Sequence, residues 1–157
     1  VFGINVQVCD PYLKENIASD YGVDLVDFDI LIRTSDFISI HAPVTPQTYH
    51  IFNQSVFKQM KPNCIIVNTA RGALIKEDDL VEALEKGYIA GAALDVTEPE
   101  PINPNSKLKT MDNVIITPHA AWYTEEAQDS LQMQAAQEVA RVLSGKKPLN
   151  LVNKVEK

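Results

Sequence analysis

The sequence predicts a doubly wound α/β domain built on a largely parallel sheet. Short apolar runs end repeatedly in polar or small residues, and segments with helical spacing lie between them. The intervals between successive runs suit crossover connections, which are right-handed and leave their strands parallel.

In chain order, Ile4, Val6 and Val8 alternate with Asn5, Gln7 and Cys9, and the run stops at Asp10-Pro11, as a strand closed by an acid and a turn would. A short polar helix is expected around Leu13 to Ser19, and a brief strand over Val23 to Val26 after Gly22. Asp27 is placed to cap a helix over Phe28 to Thr34, with Ile30 and Leu31 facing the core. Phe37 to Ile40 is the next strand, and it delivers His41-Ala42-Pro43.

Thr45-Pro46-Gln47-Thr48 has helix-start chemistry, and Asn53 to Met60 reads as a short helix before Lys61-Pro62. Ile65 to Val67 is a buried strand followed at once by Asn68-Thr69-Ala70-Arg71-Gly72, and open α/β sheets place ligands at such strand ends. Leu80, Ala83 and Leu84 repeat at helical spacing up to Gly87. Lys76 is a poor cap for that helix, a weakness that Glu77, Asp78 and Asp79 offset through the helix dipole. Ala90 to Leu94 is a strand of small residues suited to close backbone packing. After the strand at Val114 to Thr117, Thr124 can cap a long helix whose apolar stripe is Ala127, Leu131, Ala135, Val139 and Val142; Gly145 and Pro148 end it.

The 157 residues, 45% hydrophobic and 22% charged, fit one globular domain with a real core. A net charge of −7 argues against a broad nucleic-acid or anionic-membrane surface, and no run reaches the roughly 18 to 20 apolar residues of a membrane span. Cys9 and Cys64 sit in apolar runs and read as buried thiols of a reducing, cytoplasmic compartment. No metal site is expected, because the His and Cys residues lack ligand spacing. The chain opens inside an apolar phrase at Val1, as a segment of a longer protein would.

Chemistry gathers between Ala93 and Trp122, where Asp95 ends one apolar run, Glu98 and Glu100 lie among prolines, and His119 ends the next run. A carboxylate beside an imidazole orients it for proton transfer near neutral pH. Arg71 follows a buried strand, where its planar fork suits a carboxylate, or it pairs with a surface Glu. Asp10 is placed to bind ribose hydroxyls or simply to start a turn. His50 has no supporting pattern and reads as a loop or surface residue. His41 and His119 fall on the strand-end rim; Trp122 and Tyr123 follow His119, where aromatic residues pack, with Trp122 alternatively touching a substrate.

Four phrases, HAPVTPQT from His41, VNTARGALIKEDDLVEAL from Val67, GAALDVTEPEP from Gly91 and NVIITPHAAW from Asn113, occur in that order. Together they resemble the NAD-binding domain of the D-isomer-specific 2-hydroxyacid dehydrogenase family over nearly the whole chain, and HAAWYTEEA is similar to its C-terminal-binding protein subgroup. The resemblance implies a Rossmann-type sheet that holds NAD. It implies that Arg71 anchors a 2-oxo acid, that Glu100 and His119 form the acid/base pair, and that Trp122 lies on the substrate side. Glu98 also precedes a proline, but a count of five residues from Asp95 selects Glu100. The cofactor residues implied are Asp10, Ala42, Pro43, Thr48, Thr69, Ala70 and Asp95, beside Arg71 and His119.

The family's Gly-rich phosphate loop, with its strand and helix, would lie before Val1, and its strand would sit between two strands present here. Residues 1–157 are thus expected to form one N-terminally incomplete NAD-binding domain without the substrate domain, with turnover belonging to the complete protein and weak NAD binding to this chain alone. The activity implied is hydride transfer between NAD and a small 2-oxo or D-2-hydroxy acid, in a homodimer with no nucleic-acid or membrane partner. Two other readings stay open: an NAD-sensing scaffold similar to a corepressor, and an inactive dimerising fragment.

Overall fold

The computed structural model describes residues 3–153, which fall into two compact units, one running up to His119 and one from Ala120 onward. In the first unit, strands and helices alternate as the sequence predicts. Strand β1 (Gln7–Val8), helix α1 (Glu15–Asp20), strand β2 (Asp24–Leu25), helix α2 (Phe28–Thr34) and strand β3 (Phe37–Ile40) come first. Helix α3 (Gln54–Phe57), strand β4 (Ile65–Asn68), helix α4 (Glu77–Glu85), strand β5 (Gly91–Leu94) and strand β6 (Val114–Ile116) follow.

All strand pairs are parallel. Strand β1 pairs with β2, and a separate four-stranded sheet runs in the order β3-β4-β5-β6. No ladder joins β1 to β3 among the described residues, which is the place where the family's additional strand was expected. In the larger sheet the last residues of the strands are in register: Ile40 pairs with Asn68, Asn68 with Leu94, and Leu94 with Ile116. Whatever follows each strand therefore emerges on one common rim.

The core lies on the helices' side of this sheet. Ile38 and Ile40 of β3 and Ile66 of β4 are buried with Val56 and Phe57 of α3 and Leu80, Ala83 and Leu84 of α4. Each fully buried aliphatic or aromatic side chain contributes about 1.5 to 3 kcal/mol, so β4 is firmly seated beneath its polar end. Strand β5 packs as its small residues predict, since a Cβ on Gly91 would stand 2.9 Å from the Asn113 carbonyl oxygen.

Four expectations are corrected. Helix α2 turns Ile32 into the core and leaves Ile30 exposed, because Phe28 and Ile32, four apart, share the inward face. The Thr45–Thr48 segment closes a turn rather than opening a helix, its two hydroxyls and amides satisfying one another. Cys9 is exposed, because it lies beyond the end of β1 with no strand partner. In the second unit, Thr124 does cap helix α5 (Glu125–Leu143), accepting from Ala127 N at 3.1 Å. None of its residues is buried, since no strand or further helix of that unit covers the apolar stripe among the described residues. No helix there or elsewhere among the described residues is long and apolar enough to cross a membrane.

The two thiols differ chemically. Burial pushes the Cys64 thiol up to about 11, with the Asp36 carboxylate adding to it. Local desolvation, then the Asp27 and Asp10 carboxylates, also raise Cys9, which nonetheless remains reachable from solvent. Iodoacetamide on the folded protein near pH 8, followed by peptide mapping, is expected to label Cys9 slowly and Cys64 only after denaturation. Because the native Cys64 thiol holds its proton more tightly than an unfolded one, its contribution to stability is complete below pH 9.0 and is lost as pH rises toward about 11. A midpoint of unfolding that stays constant across that window would contradict this.

Candidate active site

The rim above the four flush strand ends carries the residues that the motifs single out. Strand β4 ends in Asn68, whose side chain is fully buried and turned onto the backbone ahead of it. Its Oδ1 accepts from Ala70 N at 3.0 Å, and its Nδ2 donates to Arg71 O at 2.9 Å. Both halves of the amide are thus used to shape Thr69-Ala70-Arg71. Breaking one would leave a buried polar group unpaired at a cost of about 1 to 3 kcal/mol. Arg71 itself is exposed on an extended backbone, with Nη1 donating to Ala70 O at 2.6 Å. A 3-10 turn over Gly72–Leu74 follows, and Gly72 lies directly against the backbone of Thr97 and Glu98.

From β5 the chain passes through Asp95, which is buried, accepts from Thr117 Oγ1 at 2.5 Å and donates its backbone N to Asn68 O at 2.9 Å. The proline loop then presents two acids to two different histidines. Glu98 Oε2 lies 2.6 Å from His50 Nε2, and Glu100 Oε1 lies 2.5 Å from His119 Nδ1. Glu100, five residues on from Asp95, is thus the acid beside His119, and Glu98 the acid beside His50. His119 sits in the left-handed region at φ 55°, which costs a non-glycine residue roughly 1 kcal/mol and requires surroundings that hold it there.

The pairing has a chemical consequence. A carboxylate on Nδ1 requires the proton to sit there in the neutral ring, so Nε2 is the nitrogen that gains or loses a proton. The arrangement is that of a proton donor and acceptor oriented by an acid.

Of the other expected residues, Ala42 and Pro43 follow an end of the four-stranded sheet, whereas Asp10 follows β1 of the separate two-stranded one. His41, Ala42 and Pro43 follow β3, with Ser39 Oγ 2.8 Å from His41 Nε2 and Thr48 Oγ1 donating to Pro43 O at 2.6 Å. Asp10 follows β1 and is exposed, its Oδ1 accepting from Tyr12 N at 2.8 Å in a turn. Trp122 lies in the second unit, half-exposed and edge-on to Tyr123 with ring centres 5.1 Å apart. No group of three or more His, Cys, Asp or Glu residues is placed to hold a metal among the described residues.

Sequence reading placed Asn68 and Gly72 in a ligand-bearing phrase without giving either a part of its own, and missed Thr117 and His50 as parts of this site. A polar residue ending an apolar run was the available signal for Asn68. His50 and Glu98 are 48 residues apart, and no local pattern joins them.

Residues 1–121 match the family model described as D-isomer specific 2-hydroxyacid dehydrogenase, NAD binding domain. The chain belongs to the D-isomer specific 2-hydroxyacid dehydrogenase family. It is 47% identical over 153 residues to a D-3-phosphoglycerate dehydrogenase of Methanocaldococcus jannaschii, covering 97% of this chain and 29% of that protein. It is 42% identical over 153 residues to a glyoxylate reductase of Aeropyrum pernix, covering 98% of this chain and 46% of that one. Among solved structures, D-lactate dehydrogenase with NAD+ from Lactobacillus jensenii superposes with a TM-score of 0.87 at 28% identity, over 97% of this chain and 49% of that one. The chain thus spans less than half the length of these dehydrogenases, and the part it matches is the family's NAD-binding domain.

Proposed function

We propose that this chain is the cofactor-binding portion of an NAD-dependent oxidoreductase that interconverts a small 2-oxo acid and its D-2-hydroxy acid. The observation that carries the reading is the 2.5 Å pairing of Glu100 Oε1 with His119 Nδ1, on the same rim as Arg71. Arg71 fixes the substrate carboxylate by a two-point contact and so sets the orientation of the neighbouring carbonyl. In the reducing direction His119 starts as the imidazolium and gives its Nε2 proton to the oxygen that becomes the hydroxyl. In the oxidising direction neutral Nε2 takes that proton back. Glu100 holds the ring at Nδ1 throughout. NAD, when bound, supplies or accepts the hydride. Asp10 would hold the adenosine ribose, Ala42, Pro43, Thr48, Thr69 and Ala70 would line the cofactor, and Asp95 would face its carboxamide. Trp122 belongs to the substrate side in this reading. A homodimer belongs to it as well, and the exposed Leu131, Val139 and Val142 of α5 supply an apolar face for one.

The test is NADH oxidation by the complete protein against a panel of small 2-oxo acids. Turnover of at least one is expected, and no turnover of any would overturn the reading. Arg71→Lys should raise the apparent KM for that acid at least about tenfold by exchanging the two-point fork for a single point charge, with kcat less affected. A KM that does not move would remove Arg71 from the anchoring role.

A further inference from the structure

The motif-bearing residues account for one of the two acid-imidazole pairs in the proline loop and leave the other unexplained. His50 is held firmly for a residue in a connecting turn. Its backbone N donates to Ala73 O at 2.8 Å, its carbonyl accepts from Asn53 Nδ2 at 3.1 Å, and the Tyr49 ring stacks on its imidazole with centres 3.9 Å apart. Its backbone sits at φ 49°, in the left-handed region. Just beyond it, Phe52 pairs in parallel with Ile75, so the turn is joined by backbone hydrogen bonds to the segment that continues from Arg71 and Gly72. From this base the His50 side chain reaches Glu98, two residues before Glu100.

We infer that His50, through Glu98, is a positioning residue that fixes the proline loop against the Arg71 segment and so brings Glu100 to His119. The inference rests on the acid/base role assigned above to Glu100 and His119. As an ion pair, with side chains 26% and 39% exposed, His50–Glu98 adds little to global stability. Its value is geometric. The Glu100–His119 contact is short, hydrogen bonds weaken steeply with distance and angle, and a misplacement of about 1 Å in a reacting group can cost about a hundredfold in rate. Gly72 supports the loop through the backbone of Thr97 and Glu98, and the His50 contact holds it by the Glu98 side chain.

Two readouts on the complete protein test this. In histidine labelled with nitrogen-15, the His119 Nδ1 resonance reports its bond to Glu100 whether or not a substrate is turned over. His50→Ala and Glu98→Ala should each move that resonance toward its position in Glu100→Ala, while His50→Gln, which can still donate to Glu98, should keep most of the original signal. Should His50→Ala fail to fold, Glu98→Ala removes the same contact from the exposed side. A resonance left in place by a folded variant overturns the inference. In turnover, His50→Ala should lower kcat about ten- to a hundredfold with both KM values within about twofold, and it should have no further effect in a Glu100→Ala background. An effect of His50→Ala that multiplies with Glu100→Ala means a general structural role and overturns the inference too. A wild-type protein inactive on every 2-oxo acid would remove the proposed function, while the resonance would still decide the role of His50.

Discussion

His119→Ala in the complete protein should lower kcat for 2-oxo acid reduction by about two to four orders of magnitude, the usual scale for removing a general acid. NAD affinity should be largely kept, because the adenosine and ribose contacts assigned to Asp10 and the strand ends do not involve the imidazole. The loss should appear equally in kcat and kcat/KM, since the proton passes only as the transition state forms. Glu100→Gln is expected to fall between wild type and His119→Ala. Gln can still meet Nδ1, but it offers no charge to the imidazolium. If His119→Ala turned over at the wild-type rate, the acid/base assignment would be wrong and the pair would be a structural contact.

Gly72→Ala should be the most damaging single methyl on the rim. A Cβ there would lie 2.1 Å from both the carbonyl carbon and the oxygen of Thr97 and 2.7 Å from Glu98 N. All three are backbone atoms, so no rotamer change can make room, and either the Arg71 turn or the proline loop must move. Overpacking of this kind costs about 3 kcal/mol, measurable as a shift in denaturation midpoint without a change in slope. Gly91→Ala, whose Cβ would meet one carbonyl oxygen at 2.9 Å, should cost less. The reverse order, or a Gly72→Ala protein as stable as wild type, would show that the two segments are not in the contact described.

Much of this was legible in the chain because the signals are local. The apolar spacing after Asp27 marks α2 at its observed bounds, Phe28–Thr34, although the Asp27 side chain makes no capping hydrogen bond, and a weak cap with three acids marks the start of α4. Arg71, Asp95 and His119 could be placed on one rim because each follows a strand, and parallel strands put such positions together. What stayed hidden depends on contacts between distant segments. Ile32 rather than Ile30 faces inward because of what packs against α2, including the edge-on pair of Phe28 and Phe52. Cys9 is exposed because of where β1 stops pairing. The two acids of Glu98-Pro99-Glu100-Pro101 are locally alike; the count from Asp95 favours Glu100 as the partner of His119, but nothing in the sequence joins Glu98 to His50.

The flush ends of β3, β4, β5 and β6 bear on how such a site can change. Sliding one strand by a single residue would displace its terminal residue by about 3.3 Å and exchange its buried and outward faces, so slippage would dismantle core and site together. Exchanging a side chain just past a strand end does neither. Point substitutions at the exposed positions 41, 43, 69 and 71 can therefore change the rim while the hydrophobic layer beneath remains untouched. The make-up of the rim and the foldability of the chain are thus separately adjustable.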